Sequence, residues 1–118
     1  MLAPGEATEA VRDVLKWTVI LDELADDAAK VKGSTLHQAD ALARQYECWM
    51  KLAHEYLNRS RKELLRQSVK ISRVDPDGLG GVQAEFVQRG YVYRIQLRAD
   101  WFRSTCKEAM ALVVMAKT

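Results

Sequence analysis

The sequence predicts an α+β domain with the element order ααβββα: a long antiparallel helical hairpin, a three-stranded antiparallel β-meander and a C-terminal helix. Two changes of hydrophobic period support this prediction. Apolar residues recur every three or four positions up to residue 66, alternate singly from residue 69 to 98, and return to helical spacing after residue 100. The predicted bounds are 1–66 for the hairpin, 67–99 for the meander and 100–118 for the last helix, all within a single domain.

The first helix is predicted to start near Pro4 and to end at Gly33. Proline suits a first helical turn, and glycine can adopt the left-handed conformation that ends a helix. Trp17, Val19 and Ile20 lie off the main apolar stripe of this helix. The stripe consists of Ala7, Ala10, Val11, Val14, Thr18, Leu21, Leu24, Ala25, Ala28 and Val31.

The second helix is predicted to run from Thr35 to Arg66. Thr35-Leu36-His37-Gln38 matches a capping box, and the short link after Gly33 makes the two helices antiparallel. Asn58-Arg59-Ser60 interrupts the apolar stripe, which indicates a bend or an early end there. The stripe has three adjacent lines: Leu36, Ala43, Met50, Leu57 and Leu64; Ala39, Tyr46 and Ala53; and Leu42, Trp49 and Tyr56.

Strand alternation and turn residues predict the meander. A loop over 75–81 and a tight turn at Arg89-Gly90 separate the three strands. Asp100 is the predicted N-cap of the last helix, and Val113-Val114 leaves the alternative of a fourth strand at the C-terminus. The sheet face predicted to pack inward carries Val69, Ile71, Ala84, Phe86, Tyr93, Ile95 and Leu97.

No residue pattern points to catalysis, so we expect a non-enzymatic protein without a cofactor or a metal site. His37 and His54 lack neighbours at ligand spacing, and the glycine-rich loop lacks the lysine and serine of a phosphate-binding loop. Cys48 and Cys106 lie in apolar helical patterns and are expected to be core thiols. The opening residues show no signal-peptide pattern, and the longest apolar run, 109–116, is far shorter than the ~20 residues that cross a membrane. A cytoplasmic protein without membrane contact is therefore expected.

The surplus of apolar residues on the hairpin leads to the main functional hypothesis. Exposed aromatic bands are typical of protein contacts. We therefore expect an interaction module that binds a protein partner or itself, with a homodimer forming a four-helix bundle as the simplest arrangement. The alternative is that the C-terminal helix covers these residues. The candidate contact residues are Trp17, Ile20, Leu42, Trp49 and Tyr56.

The uneven distribution of charge supports nucleic acid as the alternative partner. Residues 1–58 hold six basic and ten acidic side chains, whereas residues 59–118 hold twelve basic and six acidic ones. A basic helix end beside a basic sheet face can follow a phosphate backbone. The candidates for this accessory role are Arg59, Arg61, Arg66, Lys70, Arg94 and Arg98. The opposing interpretation is that Glu6, Glu9 and Asp13 neutralise Arg59, Arg61 and Lys62 across the hairpin.

Overall fold

The chain folds in the predicted order of elements. The computed structural model describes residues 5–35 and 38–115, and the predictions made for Pro4, Leu36, His37 and the last three residues lie outside them. Two helices, a three-stranded antiparallel sheet and a third helix confirm the predicted α+β fold ααβββα. The elements are α1 (Gly5–Lys32), α2 (Ala39–Arg66), β1 (Val69–Pro76), β2 (Val82–Gln88), β3 (Tyr91–Leu97) and α3 (Ala99–Met115).

The long hairpin of α1 and α2 makes the molecule elongated. Each helix has 28 residues, which corresponds to about 42 Å at 1.5 Å per residue. The molecule measures 56 × 31 × 20 Å, and its Cα radius of gyration is 16.1 Å, against about 13 Å for a compact domain of similar length. α2 continues as helix past Asn58-Arg59-Ser60, so the early end considered there is wrong. The Ser60 hydroxyl donates to the Tyr56 carbonyl oxygen at 3.1 Å, a bond that accommodates serine within a helix.

The link between the two helices differs from the prediction. α2 begins at Ala39 rather than at Thr35, and its N-cap residue Gln38 makes no side-chain capping hydrogen bond. The predicted capping box is therefore wrong. α1 ends at Lys32, directly before Gly33 as expected, and the Gly33 amide donates to the Ala29 carbonyl oxygen at 3.2 Å. Gly33 does not have a positive φ, so this end needs no left-handed residue.

The sheet contains one irregularity that changes which side chains share a face. Its strands pair antiparallel in the order β1-β2-β3, and the β1–β2 register shifts between Ile71 and Arg73. Ser72 is the extra residue of this β-bulge. Simple alternation predicts Arg73 on the face of Ile71, but the bulge places it opposite Glu85 on the outer face. The predicted inner face is confirmed: Val69, Ala84, Phe86 and Leu97 are buried, and Ile71, Tyr93 and Ile95 pack against the core.

α3 closes the core along the hairpin. It begins at Ala99, so Asp100 lies in its first turn and is not the N-cap. It remains helical to Met115, which makes the fourth-strand alternative wrong for the described residues. α3 packs mainly on α1 and to a smaller extent on α2. Its buried residues, which join the core formed by the hairpin and the sheet, are Phe102, Cys106, Ala109 and Val113.

Candidate interaction surfaces

Two of the five predicted hairpin contact residues lie in the core. Trp17 is 5% exposed and Ile20 is fully buried, so the prediction that they form part of an external surface is wrong. The Trp17 ring stacks on that of Tyr56, with centroids 4.5 Å apart and planes 10° apart. Trp17 and Ile20 are buried because α1 packs against both α2 and α3. Together these two helices cover a wider arc of the α1 surface than its apolar stripe.

The other predicted contacts include Leu42 and Trp49, which lie in a half-packed part of α2. We call residues 39–52 the distal segment, because this part of α2 lies at the end of the hairpin away from the sheet. None of its side chains is fully buried, whereas the buried residues of α2 all lie beyond it, at Ala53, Leu57 and Leu64. Leu42 is 36% exposed. The side chains of this segment that are partly buried against the core are Tyr46, Trp49, Met50 and Leu52.

Aromatic geometry orders this half-packed surface. The Tyr46 and Trp49 rings meet edge to face, with centroids 5.1 Å apart and planes at 83°. Such a pair contributes about 0.5–1.5 kcal/mol beyond its burial, and it orients both side chains. Trp49 was among the predicted contact residues and Tyr46 was not, although the three-residue spacing of the two positions indicates a shared helix face.

Two apolar side chains of α3 are exposed, and one of the two thiols differs from expectation. Leu112 is 50% exposed and Met115 is 75% exposed, both on α3 near its C-terminal end. Cys48 is exposed, so the expectation of a core thiol is wrong there, while Cys106 is buried as expected. Burial, with a smaller contribution from the nearby Glu23 carboxylate, raises the pKa of the Cys106 thiol to about 11. Cys106 is therefore a protonated packing residue at neutral pH.

Ion pairs occupy three of the six basic residues proposed to contact nucleic acid. Arg66 donates to Glu63 from Nε at 2.9 Å, and hydrogen bonds from Arg66 and Gln67 lower the pKa of Glu63 to about 2. Arg94 lies 3.3 Å from Glu85, and Arg98 lies 3.7 Å from Asp100. Arg59 lies over the Tyr56 ring at 5.3 Å. Among the described residues, Arg61 and Lys70 make no ion pair.

The acidic side chains at the start of α1 form ion pairs with other partners than the expected ones. Glu9 pairs with Arg12 at 3.4 Å and Asp13 with Lys16 at 3.0 Å, both within α1. Glu6 does reach across the hairpin, but to Arg66 at 3.8 Å. The predicted pairs with Arg59, Arg61 and Lys62 are therefore wrong. Neighbours three residues apart on the same helix offer closer partners than the facing helix does.

The basic candidates also line separate depressions of the surface. Arg94 lines an outer-face depression of the sheet together with Arg73, Asp75 and Glu85. Arg98 lines another, next to Arg12 and the ring of Trp101, and the Arg12 guanidinium lies 5.0 Å from the centroid of that ring. Arg66 belongs to a third depression at the junction of helices and sheet. The structure thus distributes these three arginines instead of aligning them in one groove.

We call this third depression the base cleft, because it lies at the base of the hairpin, where the helices meet the sheet. Its volume is about 550 Å³. The start of α1, the α2–β1 junction and the β2–β3 turn form its walls. No residue of this cleft other than Arg66 was predicted as a contact residue, although its Tyr91 is 57% exposed. A tyrosine at the edge of a tight turn was the available signal. The lining residues are Gly5, Glu6, Arg66, Gln67, Ser68, Gln88, Arg89, Tyr91 and Tyr93.

The described residues contain neither a metal-ligand cluster nor a membrane-spanning helix. Over residues 5–35 and 38–115, no three His, Cys, Asp or Glu side chains are grouped closely enough to hold a metal ion. Across the same ranges, no helix has both the length and the apolar character needed to cross a membrane.

Comparison with known proteins places the chain in one family. No curated protein and no solved structure shows significant similarity to it. A family model described as YhjD protein matches residues 2–117, which is nearly the whole chain. The protein therefore belongs to the YhjD protein family.

Proposed function

We propose that this protein is a non-enzymatic interaction module that self-associates through the distal segment of its hairpin. The observation that carries this proposal is the packing asymmetry of the two helices. The distal segment has no fully buried side chain, although it carries Leu42, Tyr46, Trp49, Met50 and Leu52. α1, by contrast, buries Ile20, Leu24 and Ala28 in its second half. The apolar surface left over on α2 is available to a partner.

The polar residues of the distal segment support docking through one face. Asp40, Arg44, Glu47 and Lys51 recur at intervals of three and four residues and are all exposed. They form a charged face with alternating signs, which suits contact with water. The aromatic and aliphatic side chains lie on the other side of the helix. A partner that covers that side leaves the charged face hydrated.

A second copy of the chain is the proposed partner. Two distal segments, each about 21 Å long at 1.5 Å per residue, can pack around a twofold axis, so that the two hairpins form a four-helix bundle. In this dimer, the same half-buried residues of each subunit contact the other subunit. The contact residues proposed are Leu42, Tyr46, Trp49 and Met50, with Tyr56 held internally by Trp17. Both cysteines are free, which suits the proposed cytoplasmic location.

Sedimentation velocity between about 1 and 200 µM protein tests this proposal. We expect a reversible monomer–dimer equilibrium, and Leu42→Glu should weaken it at least tenfold, about 1.4 kcal/mol, because a carboxylate would be buried without a partner. Leu65→Glu is the matched control, since Leu65 lies on the same helix, outside the distal segment, and is 77% exposed. Far-UV circular dichroism checks that both variants fold.

Two results would contradict self-association through this surface. One is a wild-type protein that stays monomeric over the whole concentration range. The other is a dimer that Leu42→Glu and Leu65→Glu weaken equally, since a distal interface must distinguish the two positions.

A further inference from the structure

The base cleft combines features that the hairpin proposal does not use. It contains two arginines, two tyrosines and two glutamines, and its volume of about 550 Å³ falls within the range of small-molecule sites. The cleft lies at the α2–β1 junction, beyond the buried residues that separate it from the distal segment. Any ligand here is therefore independent of self-association through that segment.

Two residues that line the base cleft have an unusual backbone conformation. Within the described residues, Ser68 and Arg89 are the two non-glycine residues with positive φ, at 56° and 53°. Both line the base cleft. A left-handed conformation costs a residue such as arginine about 1 kcal/mol relative to glycine, and such residues concentrate at functional sites. The β2–β3 turn needs a positive φ at position 89, for which asparagine or glycine is the ordinary choice.

Arg89 is the cation of the cleft that remains available to a ligand. Arg66 is held by Glu63 and approached by Glu6. Arg89 is exposed and forms no ion pair within the described part of the chain. A guanidinium with its donors free is suited to bind phosphate with two parallel hydrogen bonds.

The tyrosines supply a surface for a flat ring. Tyr91 and Tyr93 are two positions apart on β3, so both side chains lie on one face of the strand, about 7 Å apart. The Tyr93 ring stacks on Phe86, with centroids 5.4 Å apart, and is thereby fixed against the core. Tyr91 is 57% exposed and can stack with a ligand base.

The glutamine amides add hydrogen-bond acceptors beside these rings. The Gln67 side-chain nitrogen donates to the Glu63 carboxylate at 2.6 Å, and the Gln88 side-chain nitrogen donates to the main-chain carbonyl oxygen of Gln67 at 3.1 Å. Both amide groups are therefore oriented by their nitrogens. Their side-chain oxygens accept no hydrogen bond from the described residues, so they can accept from the amino group of a base.

We propose that the base cleft binds a nucleotide with an amino-bearing base, with Arg89 on the phosphate and Tyr91 stacked on the base. The phosphate and the aromatic base are shared by a free nucleotide and by one unit of a single strand. The two sources differ in affinity: a strand adds contacts beyond the cleft, whereas a free nucleotide does not.

NMR titration of the isotope-labelled protein tests the site with AMP as the probe. We expect the largest amide shifts at Gln67, Gln88, Arg89 and Tyr91, and weaker binding of both UMP and inorganic phosphate. A ten-nucleotide adenylate strand distinguishes the sources. Affinity at least about tenfold above that of AMP identifies a strand, and equal affinity per molecule identifies the free nucleotide.

Arg89→Asn separates binding from stability. Asparagine tolerates the left-handed conformation, so the variant should melt at the wild-type temperature or above while AMP affinity falls at least about tenfold. Tyr91→Ala should also weaken AMP binding, and Tyr91→Phe should retain most of it. Arg103→Ala is the charge control, because Arg103 is exposed on α3 and outside this cleft.

Three outcomes would overturn the assignment. The first is that neither AMP nor the adenylate strand shifts the cleft residues at millimolar concentration. The second is that Arg89→Asn and Arg103→Ala weaken binding to the same extent, which would indicate a general charge effect. The third is equal binding of AMP, UMP and inorganic phosphate, which would remove the roles of Tyr91 and of the glutamine oxygens.

Discussion

Gly81→Ala tests how tightly the β1–β2 loop packs against the junction of β3 and α3. Gly81 is buried. A Cβ at this position would lie 2.5 Å from the Leu97 carbonyl oxygen and 3.0 Å from the Ala99 amide nitrogen, and it would also overlap the Asp77 carboxylate. Two of these neighbours are backbone atoms, one at the end of β3 and one at the start of α3, so relief requires the loop or the β3–α3 junction to move.

The expected cost follows from the number of atoms that must move. Overpacking a buried site typically costs 1–3 kcal/mol, and we expect about 3 kcal/mol because backbone on both sides is involved. The clash also disturbs Asp77, whose Oδ1 accepts hydrogen bonds from the Leu79 and Gly81 amides, both at 2.8 Å. At about 4 °C per kcal/mol for a domain of this length, the melting temperature should fall by about 12 °C.

Gly78→Ala is the matched control in the same loop. Gly78 has a φ of 79° but no atom within 4 Å of an added Cβ, so only backbone strain acts there. We expect a cost of about 1 kcal/mol, measured for both variants by urea unfolding. A Gly81→Ala variant that is destabilised no more than Gly78→Ala would show that the added Cβ at position 81 meets no steric clash.

Two further predictions concern side-chain chemistry. Cys48 is exposed, and Cys106 is buried with a pKa of about 11. A thiol reagent at pH 8 should therefore modify Cys48 quickly and Cys106 only as the protein unfolds. Two thiols that react equally fast, or a Cys48→Ser variant that still reacts quickly, would contradict this prediction. Hydrogen bonds from Arg66 and Gln67 lower the pKa of Glu63 from 4.5 to about 2. The ionised carboxylate therefore stabilises the fold above pH 4.5, and this contribution is lost as the pH falls towards 2. Glu63→Gln should be less stable than wild type at pH 7 and equally stable near pH 2, and a Glu63 carboxyl carbon that titrates at its ordinary pKa by NMR would refute the cause.

The fold could be predicted because each element depends mainly on local pattern. A period of three to four residues places apolar side chains on one side of α1 and α2, and single alternation does the same for the strands. Turn residues such as Arg89-Gly90 then locate the connections. Element ends were less predictable. The start of α2 at Ala39 replaced a capping box at Thr35, because a capping pattern is one of several ways to satisfy the first amides of a helix.

Sites depend on distances between elements, which the local pattern does not contain. The broad apolar face of α2 predicted more than one neighbour, but whether Trp17 or Trp49 remained accessible depended on how the three helices packed together. The bulge at Ser72 moved Arg73 to the outer face, since one inserted residue reverses the alternation of a strand. Pairing of Glu9 and Asp13 within α1 likewise decided the charge left on α2.

The sequence by itself determined the class of the fold, the order of its elements and the surplus of apolar residues on the hairpin, because these follow from periodicity and composition. Only the tertiary structure decided which part of that surplus is buried. Trp17 and Ile20 belong to the core, and the distal segment keeps the half-packed surface. Tertiary structure also brought Arg89 and Tyr91 next to Gln67, which is more than twenty residues away in the chain, because antiparallel pairing of β1 and β2 returns the turn to the end of α2.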